Sequence, residues 1–400
     1  MSRPSQNSSS RPETGLAVQL GAITFTRTVV YTGLRMVFPF LPVLARGMGV
    51  TLQTAALAIT IRSVMGMLSP VLGALGDVRG RKWAQRLGLG LIGIGTLLPG
   101  LWQTYAAFLI GNLFFGLGIV VFDPAIQAYV GDRVPYERRA AAIAVIELGW
   151  SLSFLIGIPI VGRVISEETW GIPYFWVGIL VLACLLLIQW TLPESNPPSA
   201  QKNRLDLLSG LMDVIRDRPS MSAVGASLLM ITGSRGLMIV YGAWFEDVFQ
   251  MNEQMLGDVS TSIGAAGIAG LVLVGLLTDR LGKKPSLIIG LGVSALAAVG
   301  LPFLKDNLAL TVSALFLYYL AFEFALVTGI SLVSELRPET RATLIAFNAA
   351  AVSAGDAVGS FIGPRVYQGA IGPNVALVVG FNMAAILLLM FFVQEEAHNL

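Results

Sequence analysis

Long apolar runs separated by short polar stretches fill most of this 400-residue chain. Twelve can be counted, at about 16–45, 51–76, 84–101, 104–131, 139–165, 172–192, 220–249, 256–277, 285–304, 308–334, 342–368 and 373–393. A helix needs roughly 20 apolar residues to cross a bilayer, and each run is close to that length. Glycine and proline inside a run are tolerated in lipid, because neighbouring helices satisfy the freed backbone groups. The alternating strands of about ten residues that mark a membrane β-barrel do not occur. Composition agrees, with 55% apolar and 12% charged residues, against roughly 25% charged in a soluble domain. One water-soluble core cannot hide so much apolar surface, so lipid is the solvent for most of the chain. The expected fold class is an all-α membrane protein of twelve transmembrane helices, in the inner or plasma membrane, with the lipid bilayer as its first partner.

The ends and loops supply orientation. Residues 1–15, "MSRPSQNSSSRPETG", are polar and serine-rich and are expected to form a disordered tail. No charged, apolar and small-residue triplet of regions precedes the first run, so no cleaved signal peptide is expected. Cys184 is the single cysteine, which rules out an intrachain disulfide. With the N-terminus in the cytoplasm, eighteen Lys and Arg residues fall in cytoplasmic tails and loops, against four on the other side (Arg46, Arg163, Lys305 and Arg365). The positive-inside rule therefore predicts that both termini are cytoplasmic. The net charge of +2 is small, and no basic, aromatic surface points to nucleic acid.

Charge is concentrated at one place in particular. "GALGDVRGRK", Gly73 to Lys82, lies between the second and third runs, and a near copy, "GLLTDRLGKK", spans Gly275 to Lys284. Asp77 and Asp279 are 202 residues apart. A second match is independent: "DRVPYERRA" (Asp132–Ala140) resembles "ELRPETRA" (Glu335–Ala342), with Asp132/Glu335, Pro135/Pro338 and Arg138/Arg341 each 203 apart. The chain thus reads as a tandem duplication: a six-helix bundle at 16–192, a linker at 193–219, a second bundle at 220–393 and a tail at 394–400. The linker opens with the turn-prone "PESNPPS". It then places Leu208, Leu211, Met212 and Ile215 at helical spacing, which predicts a short amphipathic helix on the cytoplasmic surface.

Twelve helices in two repeats, with this motif after the second helix of each, resemble the major facilitator superfamily over residues 16–393, closest to its twelve-helix drug or metabolite:proton antiporter branch. The family signature is matched fully by Gly275, Asp279, Arg280, Gly282, Lys283 and Lys284. The first copy has Gly73, Asp77, Gly80, Arg81 and Lys82, with Val78 where a basic residue is usual. The resemblance implies that this loop latches the two halves on the cytoplasmic side and gates alternating access. In physical terms, glycines permit a tight turn and close helix approach, and the cations also serve as topology signals. In the fifth run, "GWSLSFLIGIPIVG" carries Gly149, Gly157, Pro159 and Gly162 and resembles the Gly/Pro-rich element of proton-coupled antiporters, interrupted by Ile158. Gly359, Gly363 and Pro364 occupy a comparable place in the eleventh. Close helix packing is the alternative reading of these small residues. The family often has an arginine four residues before Gly116, where this chain has Asn112.

Eight charged residues lie in the interiors of the runs, away from their ends: Arg27, Arg35, Arg62, Asp123, Glu147, Arg235, Glu323 and Asp356. Charge in a membrane interior is costly and marks candidate coupling or substrate groups. The third, sixth, ninth and twelfth runs carry none in their interiors, as expected of outer helices. Depth along the helices suggests two clusters, Arg27/Asp123/Glu147 and Arg235/Glu323/Asp356. Glu323 and Asp356, near the midplane, are the candidates for proton coupling, with a permanent structural ion pair as the competing reading. Tyr31, Phe38, Phe40, Trp150, Tyr241, Trp244, Tyr318 and Tyr319 are candidates for an apolar site or for ordinary packing.

The function these features imply is secondary active transport of a small organic solute by alternating access, as proton-coupled efflux of a drug or metabolite. A sugar or lipid transporter of the same fold, or a transport-incompetent sensor, are the alternatives. An enzyme is not expected. The sole histidine is His398, no metal-ligand or nucleophile constellation is present, and no G-x-x-x-x-G-K-[ST] motif supplies ATP binding. No cofactor and no metal are expected. The expected partners are the solute and protons, and the expected oligomeric state is a monomer.

Overall fold

The structure is a computed structural model that describes residues 15–73, 75–193, 215–337 and 340–393, and all regular structure among them is helical. Helices occupy each of the twelve expected segments. The first span is Leu16–Arg35 followed by Val37–Gly47, bent by 47°. Pro39 explains the break at Met36: it has no N–H for the Arg35 carbonyl, and its ring crowds that carbonyl. The second span is Leu52–Gly66, continued by the short helices Ser69–Leu72 and Leu75–Arg79. Arg81–Leu101, Tyr105–Arg133 and Tyr136–Leu152 open the third, fourth and fifth. The fifth continues through a π-helical turn, Ser153–Gly157, into Ile158–Gly162, and the sixth is Gly171–Thr191. A wide turn ahead of Pro159 gives its ring room beside the Leu155 carbonyl.

The second half repeats the plan. Arg218–Met238 with Tyr241–Phe249 is the seventh span, Glu253–Leu281 the eighth and Lys283–Gly300 the ninth. Leu308–Leu336, Arg341–Val366 and Gly372–Phe392 complete it. Among the described residues, nine helices are long and apolar enough to cross a membrane, and the bent first span makes a tenth. The second span breaks after Gly66, and the third opens on Arg81, Lys82 and Arg86. The tails 1–14 and 394–400, and the surface helix expected around Leu208, Leu211 and Met212, lie outside the described residues.

Packing carries the duplication further than the motifs do. The first span packs on the fifth and sixth, the second on the fourth, and the third on the fourth and sixth. The same five pairings recur with every ordinal raised by six. Between the halves, the second span meets the eleventh and the fifth meets the eighth, again a symmetric pair. Helix caps repeat too. Thr51 and Thr104 cap the second and fourth spans by accepting from Thr54 N and Ala107 N, each at 3.2 Å. Asn252 and Asn307 do the same for the eighth and tenth, at 2.9 and 3.2 Å. Each cap satisfies an N–H that the helix end leaves unpaired.

The apolar cores are distributed asymmetrically between the two sides. The largest cluster joins both halves, with Phe38, Phe40, Leu44, Trp170, Tyr241, Trp244, Phe245 and Tyr318 among its members. It lies at the helix ends away from the motif loops. The next two clusters each stay within one half, one built around Phe122, Tyr129 and Val181, the other around Met230, Leu291 and Leu389. The halves therefore share a core on one side only. On that side Arg46 joins the first span to the seventh through Glu246, while also pairing with Glu167. Arg163 joins the fifth to the eighth through Asp258 at 3.0 Å.

Candidate functional site

A cavity of about 300 Å³ lies between the halves, walled by the first, second, fourth and fifth spans on one side and the seventh, eighth, tenth and eleventh on the other. Among the described residues, the third, sixth, ninth and twelfth contribute nothing to its lining. Small residues let the walls meet closely. A Cβ on Gly149 would sit 2.8 Å from Arg27 Cβ, and Gly162 lies against Gly257 of the eighth span. Gly157 approaches Thr32 of the first span, while Gly359 and Gly363 approach Arg235 and Ile239 of the seventh. Pro159 abuts Gly257, and the Pro364 carbonyl accepts from Gln53 Nε2 at 3.1 Å.

Six of the eight charged candidates line the cavity: Arg35, Arg62, Asp123, Arg235, Glu323 and Asp356. Arg27 and Glu147 sit just behind the wall. Arg27 is almost wholly buried, with Nη2 3.0 Å from Glu147 Oε2 and Nη1 3.7 Å from Asp123 Oδ1. Tyr31 ties the group together, accepting from Arg27 Nη2 at 3.0 Å and donating to Asp123 Oδ2 at 2.7 Å. Across the cavity, Arg235 is ion-paired to Asp356, which also accepts from Ser63 Oγ at 3.0 Å. The Arg235 guanidinium lies 4.5 Å from the centre of the Phe38 ring, a cation–π contact between the halves.

Glu323 departs from the expected grouping. It is buried and lines the cavity, but among the described residues no arginine lies within ion-pair distance of it, and Arg35 of the other half lines the same cavity. The reason is packing. The seventh span lies along the eleventh through Gly355, Gly359 and Gly363, which brings Asp356 to Arg235, whereas the tenth packs mainly on the eighth and ninth. Arg35 in turn lies over the Trp150 ring, with Phe154 at 4.7 Å and Tyr31 at 5.8 Å. Arg62 donates to Asn112 Oδ1 at 3.3 Å. Asn112 of the fourth span thus meets an arginine from the second.

Of the aromatic candidates, Tyr31, Phe38, Trp150 and Tyr319 line the cavity. Phe40, Tyr241, Trp244 and Tyr318 are packed in the shared apolar core. Sequence reasoning missed Ser63, Phe154 and Phe322 in the lining. It also counted Arg46 only as a loop charge, although the acids Glu167 and Glu246 both converge on it. A one-dimensional pattern carries no signal for any of these, because the partners are far apart in the chain.

The motif loops use their charges at matching positions in the two halves. Gly80 and Gly282 have φ of 97° and 86°, a region that glycine enters without strain. Each caps the start of the next span. Arg81 pairs with Asp132 at 3.1 Å, at the end of the fourth span, and Lys283 pairs with Glu335 at the end of the tenth. Lys82 Nζ donates to the Gln189 carbonyl at 2.8 Å, and Lys284 Nζ to the Val393 carbonyl at 2.6 Å. These carbonyls end the sixth and twelfth spans, where a cation meets the negative end of the helix dipole. Gly73 packs near Pro124, Asp77 belongs to the short helix Leu75–Arg79, Gly275 meets open space, and Asp279 and Arg280 are exposed in the last turn of the eighth span. The basic pairs therefore tie helices together within each half. Lys82→Met is expected to lower stability by about 1 kcal/mol through the lost cap, measured as a drop in thermal unfolding midpoint in detergent, and an unchanged midpoint would count against this role.

Together these features define a multi-pass membrane protein of duplicated construction with a charged cavity between its halves. A family model described as Major Facilitator Superfamily matches residues 23–230 and again 223–399. The chain belongs to the major facilitator superfamily and is a transporter rather than an enzyme. The MFS-type transporter YwfA of Bacillus subtilis (strain 168) is 28% identical over 368 residues, covering 91% of this chain and 88% of that one. The quinolone resistance protein NorA of Staphylococcus aureus (strain COL) is 20% identical over 385 residues, covering 95% and 97%. Among solved structures, a bacterial homolog of the human lysosomal transporter Spinster, in an inward-facing and unoccupied conformation, has a TM-score of 0.72 at 14% identity, covering 94% of each chain.

Proposed function

We propose that this chain exports a small organic solute by alternating access, driven by proton entry, with the motif loops on the cytoplasmic face. The observation that carries the reading is the placement of the cavity between halves that share an apolar core on one side only. Rocking about the cavity would part that core and bring the motif ends together, turning the site from one side to the other. Relatives named for quinolone resistance support an exported solute of drug-like size.

Glu323 is the proton carrier in this reading. It lines the cavity, is buried, and faces Arg35 across the interface between the halves. Movement of the halves changes that facing, and with it the cost of holding a charge there. Asp356 is committed to Arg235 and Ser63 within a fixed pair. The test is flux into proteoliposomes for a panel of quinolones, lipophilic cations and aromatic carboxylates, with and without an imposed pH gradient. Gradient-driven flux of at least one class is expected. Glu323→Gln is expected to keep downhill exchange and lose the response to the gradient. No flux for any solute would favour a sensor, and an unchanged gradient response in Glu323→Gln would remove this residue from coupling.

A further inference from the structure

Two arginines line the cavity near one carboxylate, and only one of them is paired with it. Arg235 is ion-paired to Asp356, whose other oxygen accepts from Ser63. Arg62 lines the same cavity, yet its side-chain hydrogen bond goes to the neutral amide oxygen of Asn112, at 3.3 Å, and among the described residues no carboxylate lies within ion-pair distance of it. The residue is 5% exposed and lines the cavity. The other charges do not relieve it. Arg27 lies between two carboxylates of its own, and Arg35 and Glu323 face each other. With Asp and Glu ionised, the Arg62/Arg235/Asp356 group is one positive charge in excess locally, and the negative charge that balances it belongs to the Arg27/Asp123/Glu147 group, where both carboxylates are held by Arg27. An uncompensated charge in a membrane interior is expensive, and the open space beside this one is the cavity.

We propose that Arg62 anchors the anionic group of the transported solute, and that the solute is an amphipathic organic anion, an aromatic carboxylate or sulfonate. A guanidinium offers five N–H donors in a planar fork suited to a carboxylate or sulfonate, and Asn112 occupies only part of that fork. An anion there completes the charge balance that Asp356 leaves half done. The apolar part of the solute has Phe38, Trp150, Phe154, Met238 and Phe322 on the walls of the same cavity. A volume of about 300 Å³ is at the small end for ligand sites and suits a body of one or two fused rings. This inference rests on the transport reading above for the word "transported", whereas the anion subsite itself is a binding property.

The experiment is calorimetric titration of the full-length protein in lipid nanodiscs with four probes that share one ring system: 2-naphthoate, 2-naphthalenesulfonate, 2-naphthylmethylammonium and 2-naphthylmethanol. Both anions are expected to bind about tenfold or more tighter than the cation and the alcohol. Arg62→Gln is expected to lose about tenfold in anion affinity, on the scale of a charged hydrogen bond, with the alcohol unaffected. Asn112→Asp keeps the guanidinium but supplies it with a carboxylate, and the same loss is expected there, with the thermal midpoint reporting that the protein is folded. The proposal is overturned if neither anion binds, if the cation or alcohol binds as tightly as the anions, or if folded Arg62→Gln or Asn112→Asp protein keeps wild-type anion affinity. Anion binding without flux in proteoliposomes would leave the subsite standing and sink transport. Flux of naphthylmethylammonium without anion binding would do the reverse.

Discussion

Asp356→Asn is expected to destabilise the protein by about 2 kcal/mol, less than the roughly 3–5 kcal/mol for a fully buried pair because Arg235 and Asp356 are only part-buried. Asp356 is the carboxylate that Arg235 pairs with and that Arg62 faces, and both arginines are held at the cavity wall. Its loss leaves two guanidiniums with no anion. Arg235→Gln is expected to be milder, because Arg62 remains to face Asp356. The double variant Arg235→Gln/Asp356→Asn is expected to recover most of the loss, as contacting residues do not add. Thermal unfolding midpoints of the three variants in detergent check this. A wild-type midpoint in Asp356→Asn would show that the pair is not structural and would return Asp356 to the coupling candidates. The result separates two carboxylates that the sequence treats alike: one held in a pair, the other, Glu323, exposed to changing partners.

Gly359→Leu is expected to prevent normal packing of the seventh and eleventh spans. A Cβ at this position would lie 2.8 Å from Arg235 Cβ and 3.1 Å from the Gly236 backbone nitrogen. The nearby backbone cannot swing aside as a flexible side chain can, so the helices must separate. Overpacking costs about 1–3 kcal/mol where side chains give way, and more is expected here because the Arg235–Asp356 pair depends on the same contact. Gly275→Leu is the control, because a Cβ there meets nothing within 4 Å. Yield of monodisperse protein and its thermal midpoint are the measurements. Equal behaviour of the two variants would mean that close approach at Gly359 contributes nothing.

The glycines show where legibility ended. In sequence, Gly275 belongs to a family motif and Gly359 to a looser small-residue pattern, so the first appears the more constrained. In the structure Gly80 and Gly282 are constrained through positive φ and Gly73 through the Ser69 carbonyl, Gly275 meets open space, and Gly359 is held by a neighbouring backbone. Motif membership says which loop recurs, whereas backbone angle and neighbour distance say which position resists change. The pairing of charges was legible to a similar extent. Depth along the helices put Arg27 level with Asp123 and Glu147, and those three meet. Depth put Glu323 level with Arg235 as well, yet Glu323 faces Arg35.

By itself the sequence determined the all-helical membrane class, the family, the repeated motifs and the list of charges inside apolar runs. Each follows from local chemistry: lipid demands unbroken apolar runs with satisfied backbones, and a repeated loop carries its spacing with it. Only the tertiary structure decided which charges pair, which aromatic residues reach the cavity, and that the halves share a core on one side. Those depend on how each helix is turned about its own axis, which small-residue contacts set between spans more than a hundred residues apart. A rotation of one residue, about 100° in a helix of 3.6 residues per turn, would exchange the partners of Arg62, Arg235 and Glu323 while leaving every apolar run as it is.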